Sequence, residues 1–327
     1  MNRFVKLFAR TALAGVMGAV AFAAQAQDAA SYPNKPVKII VPFAPGGGSD
    51  FMGRILAKQL QEKFGQAFIV ENRPGAGGNL GAEIAVKSPP DGYTLMLTAA
   101  SYTVNPFVYK VPFDSLKDIT PIAQLARGPF IIAVNPKLPV NSLKELVDYA
   151  KKQPGKLSYA SAGSGSITHI VSEYFMDVAG IDVVHVPYKG TSPALTDTIA
   201  GNTQVVFGTV ASTIPHIKGG KLRALAVSTP KRLPALPDVP TAAELGYKDY
   251  QVTNWHGLIG PKGMSADVVT KLNKAVNESM TAKSMESNLT SDGLTAAPGS
   301  AADFAAQLAA ESARWGAIVK KRNIKAD

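Results

Sequence analysis

Residues 37–50 read Val37-Lys38-Ile39-Ile40-Val41-Pro42-Phe43-Ala44-Pro45-Gly46-Gly47-Gly48-Ser49-Asp50. The β-branched start predicts a buried strand over 37–41, and the prolines and three glycines predict a loop. From about Asp50 the apolar residues Ile55, Leu56, Leu60 and Phe64 recur at helical spacing. A glycine-rich loop between a strand and a helix start turns several backbone N–H groups toward one point, and such a point favours an anion. The same glycines would also serve a plain turn that needs positive φ. The segment by itself leaves both readings open.

Outward from this stretch the unit strand, glycine-rich loop, helix repeats. A strand over 68–70 runs into Asn72-Arg73-Pro74-Gly75-Ala76-Gly77-Gly78 and a helix over 79–87, and a further strand follows over 93–98. A second sheet is predicted from 130–134, with a capping box at Ser142 and Glu145 that starts a helix ending near Lys152. A strand over 157–160 then enters the loop Ser161-Ala162-Gly163-Ser164-Gly165-Ser166, a helix reaches about Ala179, and a strand over 183–186 enters Tyr188-Lys189-Gly190. A helix over 192–200 and strands over 205–207 and 222–227 complete this half. Two amphipathic helices, from Ser265 and over 300–320, close the chain with no strand read between them and are expected to pack back onto the first sheet. The alternation predicts an α/β protein of two lobes. The first is discontinuous, 27–127 and 229–327, and the second spans 128–228, with crossings near 126–129 and 227–230.

Composition narrows the classes. With 46% apolar residues over 327, the chain has material for a sizeable core, and disorder, collagen and coiled coil are excluded. The absence of cysteine excludes disulfides, thiolate metal sites and thiol catalysis. The net charge of +10 is spread over scattered Lys and Arg, without a basic stripe interleaved with aromatics, so no nucleic-acid partner is expected. Arg3, Lys6 and Arg10, the apolar run over 11–24 and Ala24-Gln25-Ala26 have the form of a signal peptide over 1–26. That run is shorter than the ~20 residues of a membrane span. The mature chain is expected to be free, soluble and monomeric in the periplasm.

Several chemistries fail on spacing. The first loop lacks the Lys of a P-loop, and neither glycine loop completes G-x-G-x-x-G. Ser164 is flanked at two residues' distance by Ala162 and Ser166, so the G-x-S-x-G of an exported hydrolase is missing. His169, His185, His216 and His256 show no zinc spacing, and neither metal nor cofactor is expected. His169, one turn into its helix, is expected to orient the serine-glycine loop, and Asp50 to sit in a first turn favoured by the helix dipole. Lys189 lies at the carboxyl end of a strand, where open α/β sheets bind ligands. Trp255-His256-Gly257 marks either a cleft or core, and Phe43 offers an aromatic wall.

Together, the segments YPNKPVKIIVPFAPGGGSD, ENRPGAGGNLGAE, PPDGYTLM, SYASAGSGSITH, HVPYKGTSPA, LRALAVST and GLIGPKG, in this order, resemble the tripartite tricarboxylate transporter substrate-binding proteins, the Bug family of periplasmic receptors. The resemblance covers essentially the whole mature chain. It implies a type II periplasmic-binding-protein fold, two α/β lobes with a hinge and an interlobe cleft that closes on a carboxylated solute. It implies that ligand contacts come from Phe43, Ala44, Gly47, Gly48 and Ser49, then from Ser161, Gly163, Ser164, Gly165 and Ser166, with Tyr188, Lys189 and Gly190 beside them and Ala100 and Ser101 lining the far wall. The implied partners are a small organic acid and the membrane subunits of a tripartite transporter. A receptor that presents its ligand to a sensor protein, without transport, would carry the same sequence.

Overall fold

The computed structural model describes residues 31–45, 48–291 and 293–325. The segment 1–26, read as a signal peptide, and Gly47 lie outside them. Strand β1 (Val37–Val41) buries every residue but Lys38, as a strand covered on both faces must. Helix α1 (Gly48–Phe64) begins two residues before Asp50 and lays Met52, Leu56 and Leu60 against β1. Strand β2 (Phe68–Asn72), helix α2 (Asn79–Val86) and strand β3 (Thr94–Ala99) follow, and β1 pairs in parallel with both β2 and β3. A 3-10 turn at Ala100–Thr103 and the short helix α3 (Asn105–Val108) lead to strand β4 (Ile119–Val134).

β4 is long enough to serve two sheets. Its residues 119–129 pair antiparallel with β9 (Thr253–Pro261), whereas residues 130–134 pair antiparallel with β7 (Val205–Thr209) and β8 (Arg223–Val227). The residues 126–129 thus lie within a continuous strand. Around β7 the second half is assembled from α4 (Leu143–Lys152), β5 (Ser158–Ser161), α5 (Ile167–Ala179), β6 (Val184–Pro187), α6 (Thr191–Ala200) and α7 (Val210–Lys218). β5 is parallel to β6 and β7. The strand order is β2-β1-β3-β9-β4-β7-β5-β6, one sheet curling from the first half into the second.

β9, which the sequence did not mark as a strand of the sheet, sits near its middle. Two glycines and a terminal proline lower its β-propensity, but Gly257 is there because the Phe304 ring lies against the backbone, where a Cβ would collide. The chain closes with α8 (Ala266–Met280), α9 (Lys283–Ser291), the two-residue strand β10 (Thr295–Ala296) and α10 (Ala301–Lys321). α8 packs Val268, Leu272 and Val276 into the first core. α10 divides its apolar face. Phe304 and Leu308 join Trp255 and Ile259, whereas Trp315, Ile318 and Val319 join Phe130, Phe175 and Tyr250 of the second half. The expectation that the closing helices return to the first sheet therefore holds for α8 and the first half of α10 only. Periodicity identifies an apolar face, and says nothing about which core receives it.

Candidate functional site

The carboxyl ends of β1, β3, β5, β6 and β7 and the helical turns that follow them surround a cleft of about 610 Å3. Gly48 and Ser49 at the start of α1, Ser166 and Ile167 at the start of α5, Gly190 and Thr191 at the start of α6 and Thr209 before α7 all line it. Each helix start carries partial positive charge from its unpaired N–H groups. Among the described lining residues there is no Asp, Glu, Lys or Arg. The field in the cleft thus comes from dipoles, with the hydroxyls of Ser49, Ser101, Ser164, Ser166, Thr191 and Thr209 as further donors.

The first loop is held from behind. Asn72 Nδ2 donates to the Phe43 carbonyl at 3.0 Å and to Asp50 Oδ1 at 2.9 Å, and Arg54 Nε donates to Asp50 Oδ2 at 3.0 Å. Asp50 is buried by these contacts and acts as an anchor of the loop. Ser49 Oγ meets His256 Nε2 at 3.3 Å.

The serine-glycine loop spends much of its polarity on itself. Gly163 N donates to Ser161 Oγ at 3.1 Å, Gly165 N to His169 Nδ1 at 3.0 Å and Ser166 N to the Gly163 carbonyl at 3.0 Å. Ser166 Oγ caps α5 by accepting from His169 N. Ser164 makes no hydrogen bond to another described residue and lines the cleft. Behind the loop, the His169 and His185 rings stack 3.7 Å apart, and Ser161 Oγ lies 2.6 Å from His185 Nε2. Gly165 takes φ +72° and rests against Val108, so α3 reaches the loop of the other half.

The structure brings together Phe43, Gly48, Ser49, Ser101, Gly163, Ser164, Gly165, Ser166 and Gly190. Other residues of the expected set stand outside the lining. Ala44 is exposed, Ala100 is in the core, and Ser161 is buried beneath its loop. The Tyr188 hydroxyl donates to Asp197 at 2.6 Å, and desolvation followed by that carboxylate raises its pKa to about 12. Lys189 is exposed, away from the lining.

Further lining residues come from segments without a glycine loop. Asn105 Nδ2 donates to the Gly77 carbonyl at 2.9 Å and to Asn79 Oδ1 at 3.1 Å, and Tyr109 covers Gly77 so closely that a Cβ there would come within 2.9 Å of its ring. Asn254 and His256 alternate on β9, while Trp255 between them points into the core. Thr209 ends a strand and precedes a helix, the same signal that marked the other loops. Burial lowers the pKa of His256 to about 4, so the ring is neutral near pH 7.

Two α/β halves joined through shared strands, with a polar cleft at the helix starts, define the class of two-lobed periplasmic binding proteins. The chain belongs to the tripartite tricarboxylate transporter family receptors (TctC), whose family model matches residues 52–324. This is a family of solute-binding receptors, not of enzymes. The protein BugT of Bordetella pertussis is 34% identical over 320 residues, covering 96% of this chain and 97% of BugT. An R. palustris structure with adipate is 34% identical, covers 90% of this chain and 99% of its own, and superposes with a TM-score of 0.79. MatC from Rhodopseudomonas palustris with bound malate is 30% identical, with coverage of 88% and 100% and a TM-score of 0.75.

Proposed function

We propose that this protein captures a small carboxylate in its cleft and delivers it, unaltered, to the membrane subunits of a tripartite transporter. The observation that carries this reading is the set of four helix starts, from α1, α5, α6 and α7, around a lining without a charged side chain among the described residues. Such an arrangement meets an anion with amides, hydroxyls and dipoles, each helix start contributing about 0.3–1 kcal/mol or more where partly buried. Relatives with adipate and malate bound support a carboxylate as the ligand class. In this reading residues 1–26 are cleaved on export to the periplasm. Lobes 27–127 with 229–327 and 128–228 then close on the solute about the β4 and β9 connections, and the closed monomer is what the transporter recognises.

A thermal-shift panel of malate, adipate, citrate, glutamate and nicotinate, with neutral sugars and amines as controls, tests it. A ligand at 100 times its Kd adds about 2.7 kcal/mol of stability, so at least one acid is expected to raise the melting temperature by several degrees. A response confined to the sugars or amines would overturn the reading.

A further inference from the structure

Ser49 and His256 come from the first turn of α1 and the middle of β9, lie 207 residues apart in the chain, and meet at the wall of the cleft. We propose that His256 is a positioning residue of the anion site: its Nε2–H donates to Ser49 Oγ and so turns the Ser49 hydroxyl proton toward the bound carboxylate. The proposal rests on the functional reading above and assigns the device by which that site orients one of its donors.

The argument is one of hydrogen-bond accounting. A neutral imidazole carries a proton on one nitrogen only. His256 Nδ1 is buried and has no hydrogen-bond partner among the described residues. A buried N–H without an acceptor is the costlier orphan, whereas a bare lone pair is better tolerated. The proton therefore belongs on Nε2, the nitrogen that faces Ser49. Ser49 Oγ, once it accepts that proton, must direct its own hydrogen elsewhere, and no other described residue accepts it. Its residue lines the cleft, next to the open amides of the α1 start.

Burial holds the ring neutral, and among the described residues no charged side chain lines the cleft beside it. On neighbouring elements, Asp50 is engaged by Arg54 and Asn72. Glu311 is engaged by Trp255 on the opposite face of β9. His256 thus supplies an oriented neutral donor chain, imidazole to hydroxyl to carboxylate, without placing a cation in the cleft.

Long-range 1H–15N correlation on the uniformly labelled chain at pH 7, without ligand, reads the tautomer directly. The expected result is a protonated Nε2 and a bare Nδ1; a protonated Nδ1 or an imidazolium would overturn the proposal. The second arm measures affinity for the tightest-binding acid of the panel. His256→Phe keeps the ring volume and removes the donor, and is expected to weaken binding about fivefold to tenfold, one hydrogen bond's worth. His256→Gln, whose amide can still donate, should stay within about twofold of the original. In a Ser49→Ala background, His256→Phe should cost nothing further, because the proton it orients is gone. Losses that multiply in the double variant would show that His256 does not act through Ser49. Failure of the original chain to bind any acid would count against the functional reading, while the tautomer measurement still decides the hydrogen-bond arrangement.

Discussion

Trp255 Nε1 donates to Glu311 Oε2 at 2.7 Å, and this buried bond fastens the strand that lines the cleft to the helix that spans both cores. Gln307 Nε2 reaches the other carboxylate oxygen at 3.5 Å. Desolvation raises the pKa of Glu311 against the opposing pull of the Trp255 bond. The folded state therefore holds this proton more tightly than the unfolded chain does. Its contribution to stability is fully present below the ordinary glutamate pKa and is lost as pH rises through the folded value.

Glu311→Gln keeps an acceptor for Trp255 and abolishes the ionisation. It is expected to leave the unfolding midpoint at pH 4 nearly unchanged and to raise it at pH 8. Glu311→Ala orphans the indole N–H and opens a cavity, at a cost of about 2–4 kcal/mol. Urea unfolding at the two pH values checks both, and a Gln variant less stable at pH 8 than the original would refute the account.

His256 acts with the opposite sign. Burial lowers its pKa to about 4, so between pH 6.5 and 4 the unfolded chain binds the proton that the folded chain refuses. Stability falls as pH drops through that window, by about 3 kcal/mol at its lower end. His256→Phe is expected to remove this slope and to be relatively more stable at pH 4.5 than at pH 7. Equal stability differences at the two pH values would contradict it.

How far these elements could be read in advance depended on whether the chemistry was local. VKIIV followed by a glycine loop marks a strand and a helix start by side-chain branching and turn preference alone, and β1 and α1 appear there. The loop residues 162–166 likewise lie in the cleft wall, with Ser161 buried beneath them. β9 could not be read the same way, because Gly257 is required by the Phe304 ring, which arrives from 47 residues along the chain. The commitment of Gly163 and Gly165 amides within their own loop was also invisible, since it depends on where Ser161 and His169 direct their polar atoms. Tyr188 illustrates the same limit. Its position after β6 suggested the cleft, but Asp197, one turn and a half into the next helix, captures its hydroxyl.

Two glycines of the cleft should respond in opposite ways to a methyl group. At Gly48 a Cβ meets nothing within 4 Å, and the residue is helical, so Gly48→Ala should keep or slightly raise the melting temperature while obstructing ligand approach to the α1 amides. Gly165 has φ +72° and its Cβ would lie 3.2 Å from Val108. Gly165→Ala should destabilise by about 1–2 kcal/mol and weaken binding by displacing the loop. Calorimetric melting together with titration of the panel acids separates the two. Unimpaired binding by Gly48→Ala would argue against the α1 start as an anion contact.

The end of α10 is tied to the serine-glycine loop of the cleft through a part-buried chain of contacts. Arg322 Nε donates to Glu173 Oε2 at 2.6 Å, and Glu173 Oε1 accepts from Tyr159 at 2.6 Å. The Tyr159 ring stacks on His185, with 5.0 Å between centroids, and His185 stacks on the His169 that accepts from Gly165 N. Burial, and then the Glu173 carboxylate, push the Tyr159 hydroxyl well above the usual tyrosine range, so it remains a donor to Glu173 at any physiological pH. Arg322→Ala leaves Glu173, only 7% exposed, with the Tyr159 hydroxyl as its remaining side-chain hydrogen-bond donor among the described residues and is expected to cost about 1–3 kcal/mol. Glu173→Gln alone should also destabilise, but in the Arg322→Ala background it should be nearly neutral or restorative, because it removes the charge that the first substitution stranded. A double-mutant cycle by denaturant unfolding measures this coupling. If the helix end steadies the loop through this chain, Arg322→Ala should also weaken binding of the panel acids, although Arg322 lies outside the cleft lining. Additive stability losses with unchanged affinity would reduce the chain of contacts to independent packing.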